Sequence, residues 1–315
     1  MRTAALLFLA IPITWGQQAI SAHSGLVHYV ENDASVAGPD LQMKTGQFWE
    51  VKPGQTLSTK DGHAEVLLNP GVFLRLDQNS SFRMIENALT DSHVQLVTGR
   101  AMIEVLELQK GNQVTIHVGE MALLPAKEGL YLIDAKAGEA KVYEGMLTVR
   151  RPGSSLELGR GKMTTLGPLP LVSKFDRKDT DFELYTWSAS RSGRIAQANL
   201  NVASSLGQTR AQPIRGVGMW SFYPSLGMFT YLPAYGRIHN PFGWYYYSPY
   251  YVWGVYNRIY SPVQSYSGSA ENASWGNRPS SGTYSAPAAV AASSGSVAQS
   301  VPTSAPAVRG TARDR

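Results

Sequence analysis

Six histidines, His23, His28, His63, His93, His117 and His239, are the first residues to test for chemistry. No two are spaced as a pair on one helix face or beside a carboxylate in a ligand pattern, so no metal site is nominated. His117 alternates inside a run that reads as a strand, where a satisfied surface position is expected. Gly161-Lys162 resembles the end of a phosphate loop, but Met163 stands where Ser or Thr is needed and no Gly lies five residues earlier. No Gly-x-Ser-x-Gly elbow occurs. Glu104 and Glu107 are carboxylates of the type glycosidases pair, but such pairs are defined by separation in space. The chain has no Cys, which excludes a thiol nucleophile, a thiolate metal site, a disulfide and a lipid-modified Cys. The reading is therefore non-enzymatic, with no catalytic, metal or cofactor-binding residue.

The surrounding elements can be read from pattern. Residues 1–22 have the form of a secretory signal: Arg2, an apolar run from Ala4 to Ile13, and small residues at Gly16 and Ser21-Ala22. That run is about half of a membrane span and contains Pro12, and no second run is long and apolar enough to cross. The expected location is the periplasm or cell envelope of a bacterium, with no transmembrane span in the mature chain. The net charge is +5, but from Gly207 onward there is no Lys, and eight Arg face only Glu271 and Asp314. The basic character belongs to that last third; the rest shows no basic face for nucleic acid.

From about Gly25 to Gly161 the chain alternates with a period of two, within a β-domain placed at residues 25–172. Ala64, Val66 and Leu68 share a face, as do Val72, Leu74 and Leu76, with Phe73, Arg75 and Asp77 opposite. Ala101, Ile103 and Val105 alternate with Met102, Glu104 and Leu106; Leu130 and Leu132 lie opposite Tyr131 and Ile133. Turn pairs such as Asp61-Gly62, Pro70-Gly71, Glu144-Gly145 and Pro152-Gly153 separate the runs. A mainly β roll, short solenoid or sandwich is predicted.

The order DGHAEVLL, PGVFLRL, NSSFRM, HVQLVTGRAMIEV and AKVYEGMLTV resembles the FecR domain, the periplasmic β-domain of bacterial iron-transport regulators. The resemblance runs over about residues 46–166. It rests on residues such as Gly62, Glu65, Gly71, Arg75, Asn79, Ser81, Gly99, Gly145 and Val149. The family's "GT.F.V" step is replaced by Glu128-Gly129-Leu130-Tyr131-Leu132. The resemblance implies a sensor or interaction domain, without the regulators' anti-sigma segment and membrane span. The implied partners are an envelope protein or cell-wall polymer, or a sigma/anti-sigma or outer-membrane transporter system.

Phe175–Leu206 reads as a helix, capped by Asp179 or Thr180 with Glu183 closing a capping box and Gly207 ending it. Its apolar stripe, Phe182, Tyr185, Ala189, Ile195, Ala196, Ala198-Asn199 and Val202, is imperfect. Residues 207–266 hold about half of the chain's aromatics among Gly, Pro and Ser, with little Leu, Ile or Val. A mat docked on the rest of the protein, a disordered adhesive segment and a membrane-interface contact all fit that composition. Residues 267–315, rich in Ser, Ala and Pro, read as disordered. The candidate interaction surface comprises Phe73, Arg75, Tyr131, Trp187, Trp244, Tyr245, Tyr246 and Tyr247.

Overall fold

The computed structural model describes residues 24–36, 48–209 and 216–260. The signal-type segment and the Ser/Ala/Pro-rich end fall outside these. The first strands are β1 (Leu26–Val36), β2 (Trp49–Glu50), β3 (Thr56–Leu67), β4 (Val72–Leu76), β5 (Ser81–Ala88), β6 (Asp91–Thr98) and β7 (Arg100–Val105). They are followed by β8 (Gln113–Val118), β9 (Met121–Pro125), β10 (Gly129–Asp134), β11 (Glu139–Glu144), β12 (Met146–Arg151), β13 (Ser154–Gly159), β14 (Lys162–Thr165) and β15 (Val172–Lys174).

All fifteen join one sheet, ordered β13-β12-β9-β8-β6-β5-β3-β4-β7-β10-β11-β14-β15, with β1 along β3 and β2 against β1. The long strand β3 links its two halves. Thr56–Ser58 pair with β5 and Ala64–Leu67 with β4. The sheet folds over there and nearly closes, because β13 passes straight into β14. Its interior is the face that the alternation predicts: Ala64, Val66, Val72, Leu74, Ala101 and Ile103 meet Ile116, Leu123, Leu147 and Leu158 from the other half. The fold is mainly β.

Tyr131 belongs to this interior, which corrects its place on the candidate surface. It is fully buried, its hydroxyl donates to the Lys127 carbonyl at 2.5 Å, and it accepts the Met146 N–H at 3.1 Å. Burial pushes its phenol up to about 12. The turn it holds contains Gly145 at φ +92°, where an added Cβ would press on the Tyr131 hydroxyl and lie 2.5 Å from the Glu128 carbonyl. Gly145→Ala is expected to cost about 2–4 kcal/mol, from left-handed strain plus displacement of that hydroxyl. Urea denaturation measures it, and a loss under about 1 kcal/mol would mean the turn relaxes freely.

The other face of β1, β3, β4, β7 and β10 is covered by the elements C-terminal to the sheet. Helix α1 (Glu183–Thr209) leads to hairpin β16 (Met219–Tyr223) and β17 (Met228–Leu232). Hairpin β18 (Arg237–His239) and β19 (Tyr245–Tyr247) then leads to α2 (Pro249–Tyr260). Helix α1 departs from its predicted ends. Residues 176–180 form a turn closed by Asp176, whose carboxylate accepts the Lys178 N–H at 2.9 Å. The first helical turn therefore starts at Phe182, whose carbonyl accepts from Tyr185 and Thr186, and Glu183 takes the Gln78 amide instead of closing a capping box. Gly207 does not end the helix; it lets the start of α2 approach, with the Pro249 carbonyl 3.0 Å from where a Cβ would sit.

The aromatic segment has a core of its own. Trp220, Met228, Phe229, Tyr231 and Tyr246 pack with Leu67, Phe73 and Leu106 of the sheet and Ile195, Ala196 and Ala198 of α1. Leu232 and Val252 join Val202 and Ala203. Scarce aliphatic residues are no obstacle, since each aromatic side chain buries about 150–250 Å². Of the three readings of this composition, residues 216–260 realise the docked one. Among the described residues no helix is long and apolar enough to cross a membrane.

Candidate functional site

The outward positions of β3, β4 and β7 put charge on the face that α1 covers. Cross-strand register sets Glu65 opposite Arg75 and Phe73 opposite Glu104. Arg75 bridges the two carboxylates: its Nε donates to Glu65 Oε2 at 2.8 Å and its Nη1 to Glu104 Oε2 at 2.7 Å. From α1, Arg191 Nη2 donates to Glu65 Oε1 at 2.7 Å and Ser192 Oγ to Glu104 Oε1 at 2.9 Å. From the second hairpin, Asn240 Nδ2 donates to the same Glu104 oxygen at 2.8 Å. Glu65, Arg75 and Glu104 are wholly inaccessible to solvent and Arg191 nearly so. Two carboxylates balance two guanidiniums, which is the arrangement that makes such burial tolerable.

Phe73 and Arg75 therefore point away from the sheet's interior, as their alternation predicts, yet present no surface. Phe73 packs against Trp220 at 5.1 Å between ring centroids and beneath the Arg75 guanidinium at 5.2 Å. Tyr246 is also fully buried, within the second core. Three of the predicted surface residues are thus interior to the joint between sheet and cap, because a second layer covers them.

The imperfect stripe on α1 has the same explanation. Its buried positions are Leu184, Ser188, Arg191, Ser192, Ile195, Ala196, Ala198, Asn199, Val202 and Ala203, which is regular helical spacing with polar members. The polar members meet polar partners. Asn199 Nδ2 donates to the carbonyls of Tyr231 at 2.8 Å and Tyr247 at 3.0 Å, and its Oδ1 accepts the Tyr247 N–H at 2.7 Å. Thr230 Oγ1 returns a bond to the Ile195 carbonyl at 2.8 Å. A single helix face thus holds the sheet's charges and the edges of both hairpins.

His28 completes the clasp from β1. Its Nδ1 lies 2.8 Å from Glu65 Oε1, and its Nε2 accepts the Phe229 N–H at 2.9 Å, so the ring is neutral with its proton on Nδ1. Burial holds it below its ordinary 6.5, and the Glu65 carboxylate offsets this only in part. Burial alone would raise Glu65, but Arg191, Arg75 and the His28 bond together hold it well below 4.5. Arg75 is held charged: burial opposes its charge, and Glu104 and Glu65 outweigh that.

These shifts set a pH dependence. Below 6.5 the unfolded chain takes up a proton at His28 that the folded chain resists, so stability falls as pH drops through that value. The Glu65 contribution, present above 4.5, is lost only at lower pH. The urea midpoint should decline from about pH 6.5 downward, and His28→Gln should reduce that first step, leaving the part due to His117, which burial and His93 also hold below 6.5. A wild-type midpoint flat between about pH 7.5 and 5 would contradict this.

Two further polar groups flank the clasp. Asp77 receives Arg100 Nε at 2.6 Å and lies 3.2 Å from His63 Nε2. Burial would raise its carboxyl, but His63 and Arg100 hold it low. Half-buried Trp187 stacks on His63 at 4.8 Å and gives its indole N–H to Glu31. On the far half of the sheet, the parallel pair β6 and β8 brings His93 Nδ1 within 3.2 Å of His117 Nε2, with Asp91 2.9 Å from His93 Nε2. Sequence spacing did not show this pair, because parallel neighbours are set by the crossover between them. Among the described residues, no three His, Asp or Glu side chains form a group that could hold a metal.

Of the predicted surface, Trp244 is 48% exposed and Tyr245 38%, while Tyr247 is half-buried. Sequence reasoning missed Glu65, Glu104, Arg191, Ser192, Asn199 and Asn240 as a set. The one available signal was polar residues at buried-face spacing in α1.

Comparison with known proteins bears on the β-domain. No curated protein matches the chain. Two crystal structures of a candidate anti-sigma factor from Parabacteroides distasonis ATCC 8503 align at 16% and 17% identity, each with a TM-score of 0.34. Each alignment covers 39% of this chain and 61% of the other, so the match spans less than two thirds of that protein. The family model described as FecR protein matches residues 55–159, from the turn before β3 to the last residue of β13. The part of the nearly closed sheet that carries Glu65, Arg75 and Glu104 lies within the segment that matches the FecR protein family.

Proposed function

We propose that this chain is an exported, non-catalytic protein of the bacterial cell envelope whose FecR domain binds another protein or a cell-wall polymer. One observation carries the reading: the charged groups Glu65, Arg75 and Glu104 of the domain are buried and bonded to one another and to Arg191 of the cap. These groups hold the architecture together, and what remains for a partner is contact surface. Export is supported by the signal-type pattern of residues 1–22.

Photo-crosslinking in intact envelopes tests it. A photoreactive residue replaces Ile85 or Val97, exposed apolar positions on β5 and β6 of the FecR domain. One stoichiometric adduct from either position is expected. Adducts only from Trp244 or Tyr245 would move the binding role to the second hairpin, and recovery of the chain in the cytoplasm would overturn export.

A second reading is a component of a FecR-type signalling system acting through a separate membrane partner. The FecR match favours it. A change in sigma-factor-dependent transcription on deleting the gene distinguishes it from a purely adhesive role.

A further inference from the structure

Gly193, Leu200 and Gly207 recur every seven residues on α1, and seven residues make nearly two turns, so the three lie along one flank. Gly193 lies against the Trp244 ring, and Gly207 admits the backbone of α2 at Pro249 and Trp253. An added Cβ at Gly193 would meet the Trp244 ring at 3.0 Å, and one at Gly207 would lie 3.4 Å from the Trp253 nitrogen and 3.6 Å from its Cβ. At about 1.5 Å per residue the two glycines are about 21 Å apart. Trp244, Leu200 and Trp253 are 48%, 39% and 37% exposed. Tyr250 stacks on Trp253 at 6.1 Å, and the Arg237 guanidinium lies 4.9 Å from the Tyr245 ring centroid. The result is a line of exposed aromatic and aliphatic groups on rigid elements, longer than scattered surface residues would produce.

The charge of the segment selects the occupant. Residues 216–260 contain no Asp, Glu or Lys, and their charges are Arg237 and Arg258. Trp and Tyr favour the boundary between headgroups and hydrocarbon, and Arg pairs with phosphate in two-point bonds. A surface without carboxylates repels no anionic headgroup. We propose that the Trp244–Leu200–Trp253 flank is a docking footprint for an anionic lipid surface, which orients the protein against a membrane it does not cross. This goes beyond the envelope reading above and rests on export only for its place in the cell.

Purified full-length protein with any tag removed is tested for co-flotation with vesicles containing about one third phosphatidylglycerol, and with purely zwitterionic vesicles. Binding about tenfold stronger to the anionic vesicles at low salt is expected, with tryptophan quenching by brominated lipids. Trp244→Ala with Trp253→Ala should reduce binding about tenfold, and Trp49→Ala on β2 should leave it unchanged. Leu200→Glu keeps both glycines and both tryptophans and sets a carboxylate on the line, so it should abolish anionic binding even if the double variant unfolds. Binding unaltered in Leu200→Glu, preference for insoluble cell wall over vesicles, or a wild-type dimer that Leu200→Glu makes monomeric would each overturn the proposal. Failure here with an envelope location intact leaves the export reading standing; binding in vitro by a cytoplasmic protein reverses only that reading.

Discussion

Arg75→Met is expected to destabilise the protein by about 3–5 kcal/mol. Methionine fills most of the volume and keeps the contact with Phe73, so packing is nearly conserved and electrostatics dominate. Glu65 retains Arg191 and His28. Glu104 retains only the neutral donors Ser192 and Asn240, and it is fully buried. An ionised carboxylate there has lost its only guanidinium, and its desolvation is no longer offset. Urea denaturation of the single variant checks the magnitude. The informative comparison adds Glu104→Gln, which removes the orphaned charge and keeps the acceptor for Ser192 and Asn240. The double variant should recover most of the loss. Equal losses in single and double variants would show that Arg75 acts through packing, and a single-variant loss under about 1 kcal/mol would show that water reaches the site.

Asn199→Ala should cost about 2–4 kcal/mol and loosen the cap before the sheet. The side chain bonds three backbone groups, the carbonyls of Tyr231 and Tyr247 and the N–H of Tyr247. These belong to β17 and β19, which pair with β16 and β18 but not with each other. The amide of Asn199 bonds both strands where no ladder joins them, and alanine leaves those backbone groups without it. Asn199→Asp should be at least as damaging at neutral pH, because a carboxylate would face two carbonyl oxygens. Hydrogen exchange and limited proteolysis should show residues 216–260 opening while β3–β13 stay protected. Uniform loss of protection would mean that cap and sheet unfold as one unit.

The interior of the sheet was legible because strand alternation is local: Val66, Leu74 and Ile103 face inward whatever else the chain does. Turn glycines such as Gly71, Gly145 and Gly153 were legible for the same reason, but Asp61-Gly62 lies inside β3, where Gly62 pairs with Asn32 of β1 and makes no turn. The outward face was not legible. Phe73 and Arg75 alternate like solvent-facing residues, and nothing within β4 states that a helix more than a hundred positions later will cover them. Arg191 and Ser192 looked like interruptions of an apolar stripe because helical amphipathicity is scored against an apolar partner. Their partner is a face bearing Glu65 and Glu104, which makes polar positions the complementary ones.

The FecR-type order of runs and turns, the absence of Cys and the restriction of basic charge to the last third could all be read from residue order. Each depends on residue type and short-range period, which need no knowledge of distant contacts. Packing in three dimensions decided that Tyr131 pins a turn, that His93 meets His117, that the aromatic segment forms a second core, and that the candidate surface narrows to the Trp244 and Tyr245 side. One cause is common to all four. Whether a side chain is surface or core depends on which layer lands upon it, and that is a contact between segments far apart in the chain, carried by packing and buried hydrogen bonds.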